Sequence, residues 1–342
     1  GAGIRRSAGT HDGPRRQGRT SLVISRDPNE LLTQARSGSR VALARLLTYV
    51  ESGGPLHRQT VAEAYRSTSP YVIGITGPPG AGKSTLTDRL ISEALSAGSF
   101  DGQHPFETIA ILAVDPTSPF TGGAILGDRV RMQEHATDDR VFIRSMATRG
   151  HLGGLSLAVP DAIRVLGAVG FSVVLVETVG VGQMEVEIAS AADTTIVVTI
   201  PGAGDSMQAN KAGLLEVADL FVVNKADRPD ISSVRRDLEQ MLDLGGERAW
   251  RPTITETVAT DGRGLPELWA AITEHRLFIE RDDTFMERRR MRTRVELQRV
   301  LSAVVSNRVR ELANGDAYEA QVARLVSGQC DPYTAADVLL QS

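Results

Sequence analysis

Residues 71–85 read Tyr71-Val72-Ile73-Gly74-Ile75-Thr76-Gly77-Pro78-Pro79-Gly80-Ala81-Gly82-Lys83-Ser84-Thr85. The first six form a short apolar run, the pattern of a strand buried on both faces. Gly77 to Ser84 match GxxxxGK[ST], and Leu86–Ala97 continue with helical spacing. The strand–loop–helix context is the one this motif requires. Glycines let the backbone curl so that successive N–H groups face phosphate oxygens, and the helix N-terminus adds its positive dipole end. Lys83 is expected at the β- and γ-phosphates, the Ser84 hydroxyl on Mg²⁺ and Thr85 at the α-phosphate.

A second motif selects the base. Asn224-Lys225-Ala226-Asp227 closes the apolar run Leu220–Val223. A carboxylate at Asp227 would accept from guanine N1–H and its N2 amine. Adenine has neither donor and would leave the carboxylate buried and unpaired. Asn224 would support the loop, and the aliphatic stem of Lys225 would cover the base plane. Val258-Ala259-Thr260, after the run Thr253–Val258, offers backbone N–H groups for guanine O6.

Carboxylates at strand ends beside such a loop suit Mg²⁺ or its water shell. Asp115 follows Thr108–Val114, Asp128 lies in the stretch 116–131, and Glu177 opens Glu177-Thr178-Val179-Gly180. Helix caps or turn residues would also explain Asp115 and Asp128. The Gly180 N–H is a candidate γ-phosphate donor. Val181 follows it, where Ras-like enzymes carry a glutamine that orients water. Valine cannot do that, so slow intrinsic hydrolysis is expected, with the missing group supplied by a mobile loop or a partner. Gln183 and the region Gly202 to Lys211 are candidate switch elements.

Outward from these motifs, apolar runs at Tyr71–Thr76, Thr108–Val114, Arg140–Ser145, Ser172–Glu177, Thr194–Ile200, Leu220–Asn224 and Thr253–Val258 alternate with helical segments. That alternation predicts an α/β fold with a doubly wound, mostly parallel sheet. N-terminal to it, short helices are expected at Asn29–Arg36, Arg40–Glu51 and Arg58–Ser67. C-terminal to it come Leu265–Leu277 and one long helix over about Asp282–Asn314. Met291, Val295, Val304, Val305, Val309 and Leu312 mark its apolar stripe, and a dimer interface would bury it. Arg288-Arg289-Arg290, Arg292 and Arg294 are interleaved with acids, which reads as a solvated, salt-bridged face.

The chain has 342 residues with a formal net charge of −4 and 4% aromatics. These values exclude an electrostatic or stacking case for nucleic acid. A hydrophobic content of 41% supports a real core. Cys330 is the single cysteine, which fits a reducing, cytoplasmic compartment. No run approaches the length of a membrane-spanning helix. Residues 1–26 read as a disordered basic leader, 27–69 as a helical extension, 70–278 as the nucleotide-binding domain and 279–342 as a C-terminal helical extension.

Together the motifs resemble the GTPases of the signal-recognition and MinD-related (SIMIBI) class of P-loop NTPases, within its G3E branch, in which Glu-Thr-Val-Gly is typical. Val114-Asp115-Pro116-Thr117-Ser118-Pro119, Gly122 to Arg129, Glu177 to Gln183 and Asp331-Pro332-Tyr333-Thr334-Ala335-Ala336 look like the MeaB family. That family is also called ArgK, and its human relative is the methylmalonic aciduria type A protein. The resemblance implies a homodimeric GTPase that binds methylmalonyl-CoA mutase, gates adenosylcobalamin delivery and protects the mutase from inactivation. It implies a Mg²⁺ shell of Ser84, Asp115, Asp128 and Glu177, and a GTP/GDP site of Gly77, Pro78, Pro79, Gly80, Ala81, Gly82, Lys83, Ser84, Thr85, Asn224, Lys225, Asp227, Val258, Ala259 and Thr260. Lys83, Glu177, Gly180 and Gln183 would serve hydrolysis, and the C-terminal helix would be a dimerisation arm. Residues 183–189 and 204–211 fall where the family's switch loops lie. Two rival readings are an ATP-dependent kinase of periplasmic amino-acid-binding proteins, an older label for the family, and a metal-insertion GTPase. Asn224 to Asp227 argue against the first. The scattered His11, His57, His104, His135, His151 and His275 and lone Cys330 argue against the second.

Overall fold

The computed structural model describes residues 25–102, 104–115, 135, 137–147, 158–178, 188, 190–202, 217–246, 248–281 and 284–341. Seven strands form one sheet: β1 Tyr71–Thr76, β2 Ile109–Asp115, β3 Val141–Ala147, β4 Val173–Thr178, β5 Thr194–Thr199, β6 Leu220–Asn224 and β7 Thr253–Thr257. Their order is β3-β2-β4-β1-β5-β6-β7, and every pairing is parallel. β1, β4, β5 and β6 are buried at every position. This is why they read as continuous apolar runs, not as alternation.

Ten helices accompany them among the described residues: α1 Pro28–Arg36, α2 Arg40–Ser52, α3 Pro55–Ala64, α4 Lys83–Ala97, α5 Ala158–Val169, α6 Ile231–Leu244, α7 Leu265–Arg281, α8 Thr284–Leu312, α9 Asp316–Val326 and α10 Pro332–Gln341. The Asp27 carboxylate caps α1, accepting from Asn29 N and Glu30 N, with Pro28 pre-set in the first turn. α3 starts three residues before the expected Arg58. Gly54, at φ 85°, takes the N-cap and Pro55 the first helical position, so the glycine pair ends α2 without delaying α3.

The pleat divides the sheet's residues between two faces, which carry three apolar cores, the smallest formed by Val197, Phe221 and Val223 with α6. Val72, Ala110, Leu112, Val114, Val174 and Val176 pack with Leu43, Leu46 and Leu47 of α2 and with α5. Ile73, Ile75, Ile109, Ile111, Leu175, Ile196 and Val198 pack with α4 and α7. The N-terminal helices thus share one continuous core with the sheet. Gly74 is the close-packing point on that face, since a Cβ there would lie 2.9 Å from Ala192 Cβ.

α8 departs from the expected solvated arginine face. Arg288 reaches Asp219 at 3.0 Å, and Arg289 and Arg292 both reach the fully buried Asp193. These carboxylates stand at the entrances to β5 and β6, beyond the range of local i,i+4 pairing. Farther out, Leu301, Val304, Val305 and Val309 are exposed. No helix among the described residues is long and apolar enough to cross a membrane.

Candidate nucleotide-binding site

The sheet's strand order changes direction at β1, which lies between β4 and β5. Open α/β sheets bind ligands outside the carboxyl ends of strands at such a switch point. The loop 77–82 leaves β1 there. Gly77, Gly80 and Gly82 have φ of 138°, 77° and 85°, values that L side chains avoid. Gly77 is also pressed against β5: a Cβ would sit 2.1 Å from Val198 O. Gly82 caps α4, whose first turn holds no acidic residue to compete for an anion.

The side chains follow from this backbone. Lys83 is buried and donates from Nζ to Gly77 O at 2.8 Å and Pro78 O at 3.0 Å. Ser84 Oγ donates to Glu177 Oε1 at 2.6 Å, and both residues are buried. Beneath them, Thr178 Oγ1 donates to Thr76 Oγ1 at 3.1 Å, tying the end of β4 to the end of β1. Pro79, Gly80 and Thr85 are exposed at the mouth, while Ala81 is buried. Asp115 is the last residue of β2, at the same sheet edge.

On the other side of the loop, Asn224 ends β6 fully packed, at 2% exposure. Its Nδ2 donates to Ala81 O at 2.8 Å, and its Oδ1 accepts from Thr257 Oγ1 and Ala259 N at 3.1 and 3.2 Å. Lys225 then turns into the left-handed region at φ 60°, and its Nζ donates to Gly80 O at 2.7 Å. Ala226 N donates to Thr257 O, which fixes the turn and leaves Asp227 exposed beside the loop mouth. Of the three residues expected to turn amides toward a base, two use them inside the protein: Val258 N donates to Arg263 O and Ala259 N to Asn224. Both are buried in the turn that leaves β7, where Val258 bridges to Arg263, and Thr260 is the exposed member. Arg263 also holds the neighbouring Asp261 carboxyl below its usual range through a side-chain hydrogen bond, bracing this turn.

Asp128, Gly180, Val181 and Gln183, and all but Ile188 of the candidate switch segments 183–189 and 204–211, lie outside the described residues. Sequence reading missed the Thr76–Thr178 hydroxyl pair and the Thr257 support of Asn224. Strand register was the available signal, since Asn224 pairs with Thr257 across β6 and β7. Among the described residues no group of three or more His, Cys, Asp or Glu converges as a metal cage.

A glycine loop on a parallel sheet, with a buried lysine and a serine–carboxylate pair beneath it, defines a P-loop nucleoside triphosphatase. The family described as "Methylmalonyl Co-A mutase-associated GTPase MeaB" matches residues 43–314. A putative GTPase of Pyrococcus abyssi is 48% identical over 318 residues, covering 92% of this chain and 96% of that protein. The GTPase ArgK of Escherichia coli is 39% identical over 259 residues, covering 72% and 75%. The mitochondrial methylmalonic aciduria type A homolog of Mus musculus is 30% identical over 338 residues, covering 92% and 79%. A crystal structure described as an LAO/AO transport system kinase superimposes with a TM-score of 0.67 at 27% identity, covering 94% of this chain and 99% of that one. The chain belongs to the MeaB/ArgK family of GTPases. It is a guanine-nucleotide-binding, GTP-hydrolysing enzyme.

Proposed function

We propose that this GTPase acts as a homodimeric chaperone of methylmalonyl-CoA mutase in the cytoplasm, gating adenosylcobalamin loading and protecting the mutase from inactivation. The family match supports the client, and the observation that carries the nucleotide reading is Asn224, which joins loop 77–85 to the base-side turn at one point.

In this reading the amides of 77–85 wrap the phosphates. Lys83 exchanges the Gly77 and Pro78 carbonyls for phosphate oxygens. Asp227 accepts from guanine, Lys225 covers the base and Asn224 holds the frame, with 258–260 closing the pocket. The buried Ser84 and Glu177 oxygens, 2.6 Å apart, are hard donors of the kind a small divalent cation takes. With Asp115 and Asp128 they would hold Mg²⁺, which supplies charge neutralisation at the phosphates when bound. Gly180 and Gln183 are assigned to the γ-phosphate side. Val181 offers no group to orient water, so the isolated enzyme turns over slowly and a partner accelerates it.

Two measurements test this. GDP should bind by calorimetry with ADP at least 100-fold weaker, and Asp227→Ala should abolish that preference. Equal binding of ADP would favour the kinase reading that the superimposed structure's description carries. The mutase should be retained on the immobilised protein in a nucleotide-dependent way and should raise its GTPase rate. Absence of both effects would remove the client assignment and leave the nucleotide site standing.

A further inference from the structure

At the sheet edge opposite the nucleotide site, the segments entering β1 and β5, together with α5 and the first half of α8, surround a cavity of about 280 Å³. Four arginines line it, Arg164, Arg289, Arg292 and Arg299, against one carboxylate, Glu296. Arg289 and Arg292 share a single counter-ion, Asp193, which also accepts from Val72 N. Arg164 bonds neutral hydroxyls, Ser69 Oγ at 2.7 Å and Tyr65 Oη at 3.4 Å, and lies over the Tyr65 ring. Arg299, which is half-buried, has no hydrogen-bond or ion-pair partner among the described residues.

Guanidiniums gathered on a concave wall in excess of carboxylates repel one another, and a bound anion relieves that repulsion. Their planar forks match the oxygens of a phosphoryl group. We propose that this cavity is a binding site for a small, multiply charged oxyanion, a phosphate or pyrophosphate group, gripped by Arg164 from α5 and Arg299 from α8. The site is separate from loop 77–85. Its occupant would bridge α5 and α8 and stiffen the root from which the long helix leaves the body.

Glu296 gives the site a signature. Burial holds its carboxyl above the usual range, Asp161 pushes the same way and Arg164 opposes. The charged groups around it are Arg164 and Asp161 of α5, with Asp161 engaged by His57 of α3 at 2.6 Å, and Arg289, Arg292 and Arg299 of its own helix. An arriving anion disfavours the ionised form further, so the Glu296 carboxylate opposes binding.

The test is titration of inorganic pyrophosphate into the full-length protein saturated with GDP, in metal-free buffer of low ionic strength, so that loop 77–85 is already filled. One pyrophosphate should bind per chain. Arg299→Ala should weaken it about tenfold or more while leaving the melting temperature and GDP binding unchanged. Glu296→Gln, which removes the one carboxylate lining the cavity, should tighten binding. No binding to the GDP-loaded protein, or undiminished binding to the Arg299→Ala variant, would overturn the proposal. A response to polyglutamate with none to pyrophosphate would also overturn it, in favour of a protein carboxylate as occupant.

Discussion

Asn224 holds two chain segments with three bonds to one amide: Ala81 O, Thr257 Oγ1 and Ala259 N all bond to it, and the residue is almost fully buried. Deleting that amide strands buried donors and an acceptor, each of which costs free energy when left unmade. Asn224→Ala should therefore lose about 2–4 kcal/mol in urea unfolding of the nucleotide-free protein. It should also weaken GDP binding, because both the loop and the base-side turn lose their common anchor. The position of Asn224 was legible, since Leu220–Val223 is an apolar run that stops there. Its partner Ala81 lies 143 residues away, and no local pattern carries that pairing. Gly77 shows the same division. The motif asks for glycine to wrap a phosphate, but the approach to Val198 O that also forbids a side chain is a contact with β5.

At the scale of elements, the first half of α8 is held by carboxylates from elsewhere. Asp193 is fully buried and receives Arg289, Arg292 and Val72 N. Breaking such a pair from one side leaves uncompensated charge. Asp193→Ala should cost about 3–5 kcal/mol in denaturant unfolding. Asp219 adds a pH dependence. Burial opposes its ionised form, but the His275 ring 3.1 Å away, the charge of Arg288 and a hydrogen bond from Thr195 N outweigh burial and hold the carboxyl below its usual range. In the unfolded chain an aspartate titrates near about 3.9. The stabilisation is therefore complete above that value and is lost as pH falls toward the lower native pKa. Asp219→Asn should flatten the loss of stability below about pH 4, read as urea midpoints across pH. The helix itself was legible, from about Asp282 to Asn314 against the observed Thr284–Leu312. The destination of its arginines was not, because i,i+4 reasoning sees only neighbours on the same helix.

For the whole molecule, the outer half of α8 is the unfinished surface. Leu297, Leu301, Val305 and Val309 recur at four-residue spacing and are 58%, 56%, 60% and 50% exposed. A contiguous apolar face of that kind marks an interaction surface, and in the proposed homodimer a second copy covers it. Leu301→Glu combined with Val305→Glu should convert a dimer to a monomer in sedimentation equilibrium. GDP binding should stay unchanged, since among the described residues this exposed stripe lies apart from those placed around loop 77–85.

The chain's alternation of apolar strands with helices, its glycine loop and the end of the sixth strand at Asn224 could be determined from sequence alone. Each is a local matter: side-chain period, glycine's access to positive φ and the end of an apolar run act within a few residues. Only the tertiary structure decided the rest. It set β1 between β4 and β5, merged the N-terminal helices into the sheet's core, sent the α8 arginines to Asp193 and Asp219, and gathered Arg164 with Arg299. Those outcomes depend on which distant groups come within a few ångströms once the apolar faces are buried, and contact at that range has no period along the chain.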